Sequence, residues 1–187
     1  MNRKLHSDEE IVKYAVNFVN GYPEAFSALY DHFADNIYRY VYYKVKSSES
    51  EDLTEIIFIK AWENRKKYDP AKSSFSSWLY TIARNTVIDH YRVYKSVDEL
   101  SIDLTDHDDA KNPKLNTESI LNAEKIREAI SKISESYQEI LLLRFIEDLE
   151  YAEIAKIIGK SEGSIRVMQF RAMKELKQVL QKMGFNE

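Results

Sequence analysis

The densest chemistry in this sequence is cationic. Arg166, Arg171, Lys174 and Lys177 recur through a stretch whose apolar positions, Ile165, Val167, Met168, Ala172, Met173 and Leu176, follow helical spacing. Guanidinium and ammonium groups carried along a helix suit contact with phosphates and base edges in duplex DNA. Just before it, Tyr151, Ile154, Ala155 and Ile158 mark a short helix that stops at Gly159, and Ser161 is placed to cap the next one. Ala155 is small enough for a close helix approach and Ile165 large enough to pack back across it. Two helices joined by so tight a turn predict a helix-turn-helix whose second helix enters a major groove. The same residues also fit a plain hairpin inside a core.

Two other clusters have chemistry to offer. Arg65, Lys66 and Lys67 follow Trp62 and precede Tyr68 to Ser74, a loop by its Pro and Ser content, after which Trp78 opens another apolar run. Interleaved rings and cations suit single-stranded nucleic acid, with bases stacked on the rings and the backbone along the cations. Core packing is the commoner fate of a tryptophan such as Trp78. The second cluster, Asp103, Asp106, His107, Asp108 and Asp109, has the ligand types of a hard-cation site. A calcium loop needs a turn-forming Gly and a distal bidentate Glu at fixed offsets, and both are missing. A solvated tether is the better reading, which also weakens a metal-dependent hydrolase built on His107. With no cysteine and no phosphate-cradling Gly loop, thiolate and nucleotide chemistry are excluded. No metal, cofactor or catalytic constellation is expected.

The elements that must carry these side chains are helices. The chain has 187 residues, 44% of them apolar, with four Gly and three Pro and no long alternating run, so the fold class is all-α. Ser7 to Glu10 has the form of a capping box and opens a first helix that ends at Gly21. Pro23 starts a second, with Phe26, Leu29, Tyr30, Phe33, Ile37, Tyr40 and Val41 on one face. Ser48 to Glu51 repeats the capping box for a third, its inward stripe Leu53, Ile56, Ile57, Lys60 and Ala61. A fourth runs from Phe75, with Trp78, Leu79, Ile82, Ala83 and Ile88 turned inward.

Residues 96–118 lose this periodicity and gather acid, reading as a flexible linker between an N-terminal domain, 1–95, and a C-terminal one, 119–187. In the latter, Ala123, Ile126, Ile130 and Ile133, then Tyr137, Ile140, Leu141, Phe145 and Ile146, lead into the hairpin and complete a bundle of about four helices.

Net charge is −4, but it is unevenly placed. Residues 1–95 hold 14 basic and 13 acidic side chains, the linker 2 and 7, and residues 119–187 hold 11 of each. From 154 to 187 the balance is 7 to 3, so the basic charge sits on the hairpin. Non-specific affinity rests on counterion release by many phosphate contacts, so this chain should hold free duplex poorly and need a partner. The N-terminus runs straight into charge and no window reaches a membrane span, which predicts a cytoplasmic protein.

Two helical bundles on an acidic tether, one with a base-stacking look and one with a helix-turn-helix, resemble the bacterial RNA polymerase sigma factors of the extracytoplasmic-function (ECF) group. The resemblance runs from about Glu24 to Leu180. Glu51 to Trp62 is similar to that family's polymerase-binding helix, Phe75 to Asn85 to its promoter-melting segment, and Tyr151 to Ala172 to the segment that reads the upstream promoter element. All three occur in order at family spacing.

The resemblance implies a non-catalytic initiation subunit whose partners are core RNA polymerase and promoter DNA, with no membrane insertion, and it leaves room for an anti-sigma factor. It implies that Asp52 and Glu55 face the clamp helices of the polymerase's largest subunit; the family usually has Asp and Gln, so Glu55 departs in charge. Lys72, Ser73 and Ser74, with Asn85 on the helix behind, would hold an unstacked base of the minus-ten element. Lys60, Arg65, Lys66 and Lys67 would take backbone phosphates, and capture of flipped bases would drive opening. Arg166, Val167, Phe170 and Arg171 would face the minus-thirty-five element, Ser164 capping the helix or touching phosphate, while Met168 stands where a basic residue is usual. The tether is similar to the linker these proteins thread toward the polymerase cleft. The alternative is a regulator that binds duplex through the hairpin alone, its N-terminal bundle sensing or dimerising; the basic-aromatic loop and weak charge disfavour it.

Overall fold

The computed structural model describes residues 7–45, 47–98 and 125–185, and every regular element among them is helical. The chain divides into two compact units, Met1–Asp108 and Asp109–Glu187. The acidic stretch from Glu99, the His107 cluster, Ile120 and Ala123 lie outside the described residues. Among those described, no helix is long and apolar enough to cross a membrane.

Among the described residues, the first unit contains four α-helices. Helix α1, Asp8–Val19, starts at the expected capping box, in which Glu10 N–H donates to Ser7 Oγ and Ser7 N–H to Glu10 Oε2. Gly21 then takes φ +84°, a left-handed turn that α2, Pro23–Tyr42, follows with its proline in the first turn. Helix α3 is Ser50–Glu63 and α4 is Phe75–Asp98, so α4 runs three residues into the stretch assigned to the linker. The capping box expected at Ser48 is not formed. A 3-10 turn, Ser47–Glu49, runs directly into α3, whose cap residue Glu49 already has helical angles.

Helix α2 packs on α1 and α3, and α4 packs on α3 while also touching α1 and α2. The stripes differ in detail from the expected ones. On α3, Leu53, Ile57, Phe58 and Ala61 are buried but Ile56 is exposed; on α4, Phe75, Leu79, Tyr80, Ala83 and Val87 are buried but Ile88 is exposed. Helices wrapped on two sides bury a wider arc than one stripe, and both misplaced isoleucines sit at its edge.

The second unit is built from α5, residues 125–131, α6, Glu135–Leu141, α7, Tyr151–Ile158, and α8, Glu162–Lys182. Its core gathers Ile133, Leu141 and Ala172, with Tyr137, Leu176 and Val179 packed against them. Leu142–Ile146 forms a π-helical turn that leaves Phe145 exposed, and Asp148 then adopts φ +51°. Arg144 spans this irregular connection, donating to the Leu149 carbonyl at 2.8 Å.

Two of the left-handed glycines separate backbone strain from crowding. At Gly21 an added Cβ would also lie 3.4 Å from Arg65 Nε, whereas at Gly159, φ +75°, nothing lies within 4 Å. Gly159→Ala is therefore expected to destabilise its unit by about 1 kcal/mol and Gly21→Ala by about 1–2 kcal/mol. Urea unfolding followed by circular dichroism, and for Gly21 by fluorescence of Trp62 and Trp78, checks the order; equal losses would show that Arg65 yields freely.

Candidate nucleic-acid interface

In the second unit, the turn that presents α8 is built from local bonds. Glu150 N–H donates to the Glu153 side chain at the start of α7, and Gly159 closes the helix with its N–H on the Ala155 carbonyl at 2.9 Å. Ser161 then caps α8, accepting from Ser164 N–H at 3.3 Å, and the two hydroxyls lie 2.9 Å apart. Ser164 is therefore fixed at the helix entry as a capping partner. This is the tight hairpin expected from Gly159 and Ser161.

Beyond the turn, α8 has two faces. Ile165 and Ala172 point into the core at 0% exposure. On the other side Arg166, Val167, Phe170 and Arg171 are all exposed, Phe170 at 72%. Val167 and Met173 thus leave the apolar stripe assigned to them by spacing, and Met168 is half-buried. Phe170 thus stands open on a capped helix between two arginines.

Tyr151 shapes one edge of this face. The Arg166 guanidinium carbon lies 4.0 Å from the Tyr151 ring centroid, Arg144 lies 5.0 Å from it, and the Tyr151 hydroxyl donates to Gln169 Oε1 at 3.1 Å. Tyr151 reads in the sequence only as an apolar helix position. Its role as a platform depends on Arg166 lying across the turn, which no local pattern reveals.

In the first unit the cations around the loop 64–74 are held to different degrees. Lys66 and Lys67 are exposed and Lys60 is half-buried, with Lys67 donating to Asn64 at 2.8 Å. Lys72 reaches outward beside Asp69, 3.0 Å away. That bond and the Ala71 N–H hold the Asp69 carboxyl below its ordinary range. Burial, with Asp69 adding, pushes the Tyr68 hydroxyl upward, and it donates to the Ser73 carbonyl at 3.2 Å. Ser74 caps α4, accepting from Ser77 N–H at 3.2 Å. Asn85 is exposed ten residues beyond Phe75, about 15 Å along the helix.

Arg65 is placed differently from its neighbours. It lies 4.4 Å over the Trp62 ring, donates to the Trp62 carbonyl at 2.9 Å and abuts Gly21. It is a brace between the α1–α2 turn and the end of α3. The rings likewise form no open platform. Phe18 touches Trp62, Phe75 and Trp78 at centroid distances of 5.4–6.0 Å, and Tyr68 lies 5.2 Å from Trp78. The aromatic residues that suggested base stacking are packed against one another, and Trp78 is half-buried among them.

On α3, Asp52 and Glu55 are exposed one turn apart, flanked by exposed Ile56 and Ile59. That face joins two acids to two large apolar side chains. Among the described residues no group of His, Asp and Glu could hold a metal ion.

Comparison with known proteins gives this arrangement a class. Residues 29–96 match the family model for sigma-70 region 2 and residues 123–176 that for sigma-70, region 4. RNA polymerase sigma factor YlaC of Bacillus subtilis is 30% identical over 161 residues, covering 82% of this chain and 91% of that protein. The chain belongs to the RNA polymerase sigma factors, subunits that direct promoter recognition at initiation. ECF RNA polymerase sigma factor BldN of Streptomyces coelicolor is 34% identical over 164 residues, covering 86% of this chain and 62% of that protein's length. ECF sigma factor SigX of Bacillus subtilis is 27% identical, with 82% of each chain covered. Within the class, this chain is of the ECF group. Its fold is shared with CnrH, solved with the cytosolic domain of CnrY, at a TM-score of 0.72, 19% identity and coverage of 91% and 97% of the two chains. It is shared also with Bartonella quintana RpoE, solved with the anti-sigma factor NepR, at 0.67, 21% identity and 83% and 96% coverage.

Two predictions separate braces from open cations. Arg65→Ala should lower the melting temperature of the first unit, equivalent to about 1–2 kcal/mol, while Lys66→Ala and Lys67→Ala stay within about 0.5 kcal/mol; thermal unfolding followed by tryptophan fluorescence reads both. Because the folded Asp69 pKa is depressed, its contribution to loop order is present above the ordinary carboxylate pKa near 3.8 and lost as pH falls through the lower folded value. An NMR titration should place Asp69 below 3.8, and Lys72→Ala should bring it back toward that value.

Proposed function

We propose that the two units read two halves of a promoter while α3 holds the chain to core RNA polymerase. The observation that carries this reading is the exposed row on α8, two arginines interleaved with Val167 and Phe170 on a helix whose opposite face is core. Arg166, Val167, Phe170 and Arg171 enter the major groove of the minus-thirty-five element, and Ser164 approaches phosphate at the helix entry. In the first unit, Lys72 and Ser73 with Asn85 take an unstacked base of the minus-ten element, and Lys60, Lys66 and Lys67 lie along the backbone. Arg65 and Ser74 serve that site indirectly, one bracing the loop and the other starting α4.

Asp52 and Glu55, with Ile56 and Ile59, form the polymerase-binding face, where Glu55 adds a charge to the family's usual pattern. The chain supplies no catalytic group and works in the cytoplasm. As RpoE is held by NepR, this chain has an anti-sigma factor among its partners.

Transcription by core RNA polymerase with and without the chain, on promoters recovered from cells overproducing it, tests the reading. Arg171→Ala should weaken promoter binding by about 1–3 kcal/mol, with the loss concentrated at one base pair. Asp52→Ala should reduce co-migration with core polymerase. A chain that footprints duplex alone and ignores core polymerase would overturn the proposal.

A further inference from the structure

The exposed row on α8 contains one arginine that is already held. Tyr151, the first residue of α7, is fixed at three points: by the capped start of its helix, by the bond from its hydroxyl to Gln169, and by Arg144 5.0 Å from its ring centroid. Arg144 is itself tied down, donating to the Leu149 carbonyl and lying 3.5 Å from Glu150. Arg166 lies 4.0 Å over this fixed ring, with Glu162 3.8 Å away on its own helix. An exposed ion pair of that separation orders little in salt, whereas a ring face holds the flat guanidinium without drawing off its hydrogen-bond donors. We propose that Tyr151 is a positioning residue for promoter recognition, whose braced ring sets the arrangement of Arg166 before DNA arrives. This rests on the reading of α8 as the helix that meets the upstream element.

The physical consequence is entropic. A free arginine side chain must lose its rotamer freedom when it meets DNA, and a side chain already stacked has lost much of it on folding. The loop before α7 thereby reaches the recognition helix: the π-helical turn and the left-handed Asp148 place Arg144, Arg144 steadies Tyr151, and Tyr151 holds Arg166. None of the intermediate residues needs to touch DNA.

The test is a double-mutant cycle on the full chain bound to core RNA polymerase. The probe is a promoter selected by this holoenzyme from a library randomised in the upstream element. Tyr151→Leu should weaken binding about two- to tenfold, and Tyr151→Phe, which keeps the ring, should stay within about twofold. In an Arg166→Ala background Tyr151→Leu should cause no further loss, and its affinity for core polymerase without DNA should be unchanged. If Tyr151→Leu is as harmful in that background as in the wild type, the ring merely supports helix packing and the proposal is overturned. If Tyr151→Phe is as harmful as Tyr151→Leu, the Gln169 bond matters and the stack does not. Should Arg166→Ala alone leave promoter binding unchanged, the assignment of Arg166 to the DNA face fails first, an outcome visible without any Tyr151 variant.

Discussion

Phe18 closes the N-terminal unit. Its ring is fully buried and meets Phe26 of α2, Trp62 of α3, and Phe75 and Trp78 of α4. Three helices thus converge on one side chain supplied by the fourth. Two of those contacts, Trp62 and Phe75, stand near the two ends of the loop that carries Lys66, Lys67 and Lys72. The loop's shape follows from its pinned ends and from Tyr68, whose buried ring lies against Phe75 and Trp78. Arg65 adds to this, joining the Gly21 turn to the Trp62 carbonyl. Helix α1 lies ahead of the matched sigma-70 region 2 segment, yet it sets the floor on which that segment's loop rests.

The C-terminal unit solves a different problem, because α8 must supply both core and contact surface. Ile165 and Ala172, seven residues apart, turn the same side inward, which leaves Arg166, Val167, Phe170 and Arg171 no choice but to face out. The tight turn fixes that rotation. With Gly159 in the left-handed region and Ser161 capping the next helix, α8 starts at a set position against α7, and Ile154 and Ile165 are both fully buried. A residue with a Cβ at Gly159 would strain the link between the helices and leave the faces of α8 less well defined.

The sequence reveals what periodicity and caps encode. Four Gly, three Pro and repeated helical stripes were enough for an all-α chain, and Ser7, Pro23, Gly159 and Ser161 mark real helix ends. Positions at the edge of a stripe are harder, because the same isoleucine is buried or exposed according to how many neighbours its helix has. Ile56 and Ile88 fall outward for that reason. Roles that depend on tertiary neighbours were hidden. Arg65 is indistinguishable from Lys66 and Lys67 in sequence but is stacked on Trp62, and Tyr151 reads as an ordinary apolar position. For Trp78 the sequence offered both a core position and a ring for base stacking, and its neighbours are other rings.

The cations of this chain share a further property. Lys72 lies beside Asp69, Arg144 beside Glu150, and Arg166 beside Glu162, so several of the positive groups carry an acid within 4 Å. Each such pair orders its cation little but reduces its field, and with it the counterion release that drives non-specific DNA binding. A protein built this way gains little from DNA in general and loses little when a stretch does not fit. A contact that requires a set geometry keeps its value where something other than the ion pair holds the group, as the Tyr151 ring holds Arg166. The balance suits a subunit brought to DNA by a larger enzyme, where discrimination between promoters matters more than grip.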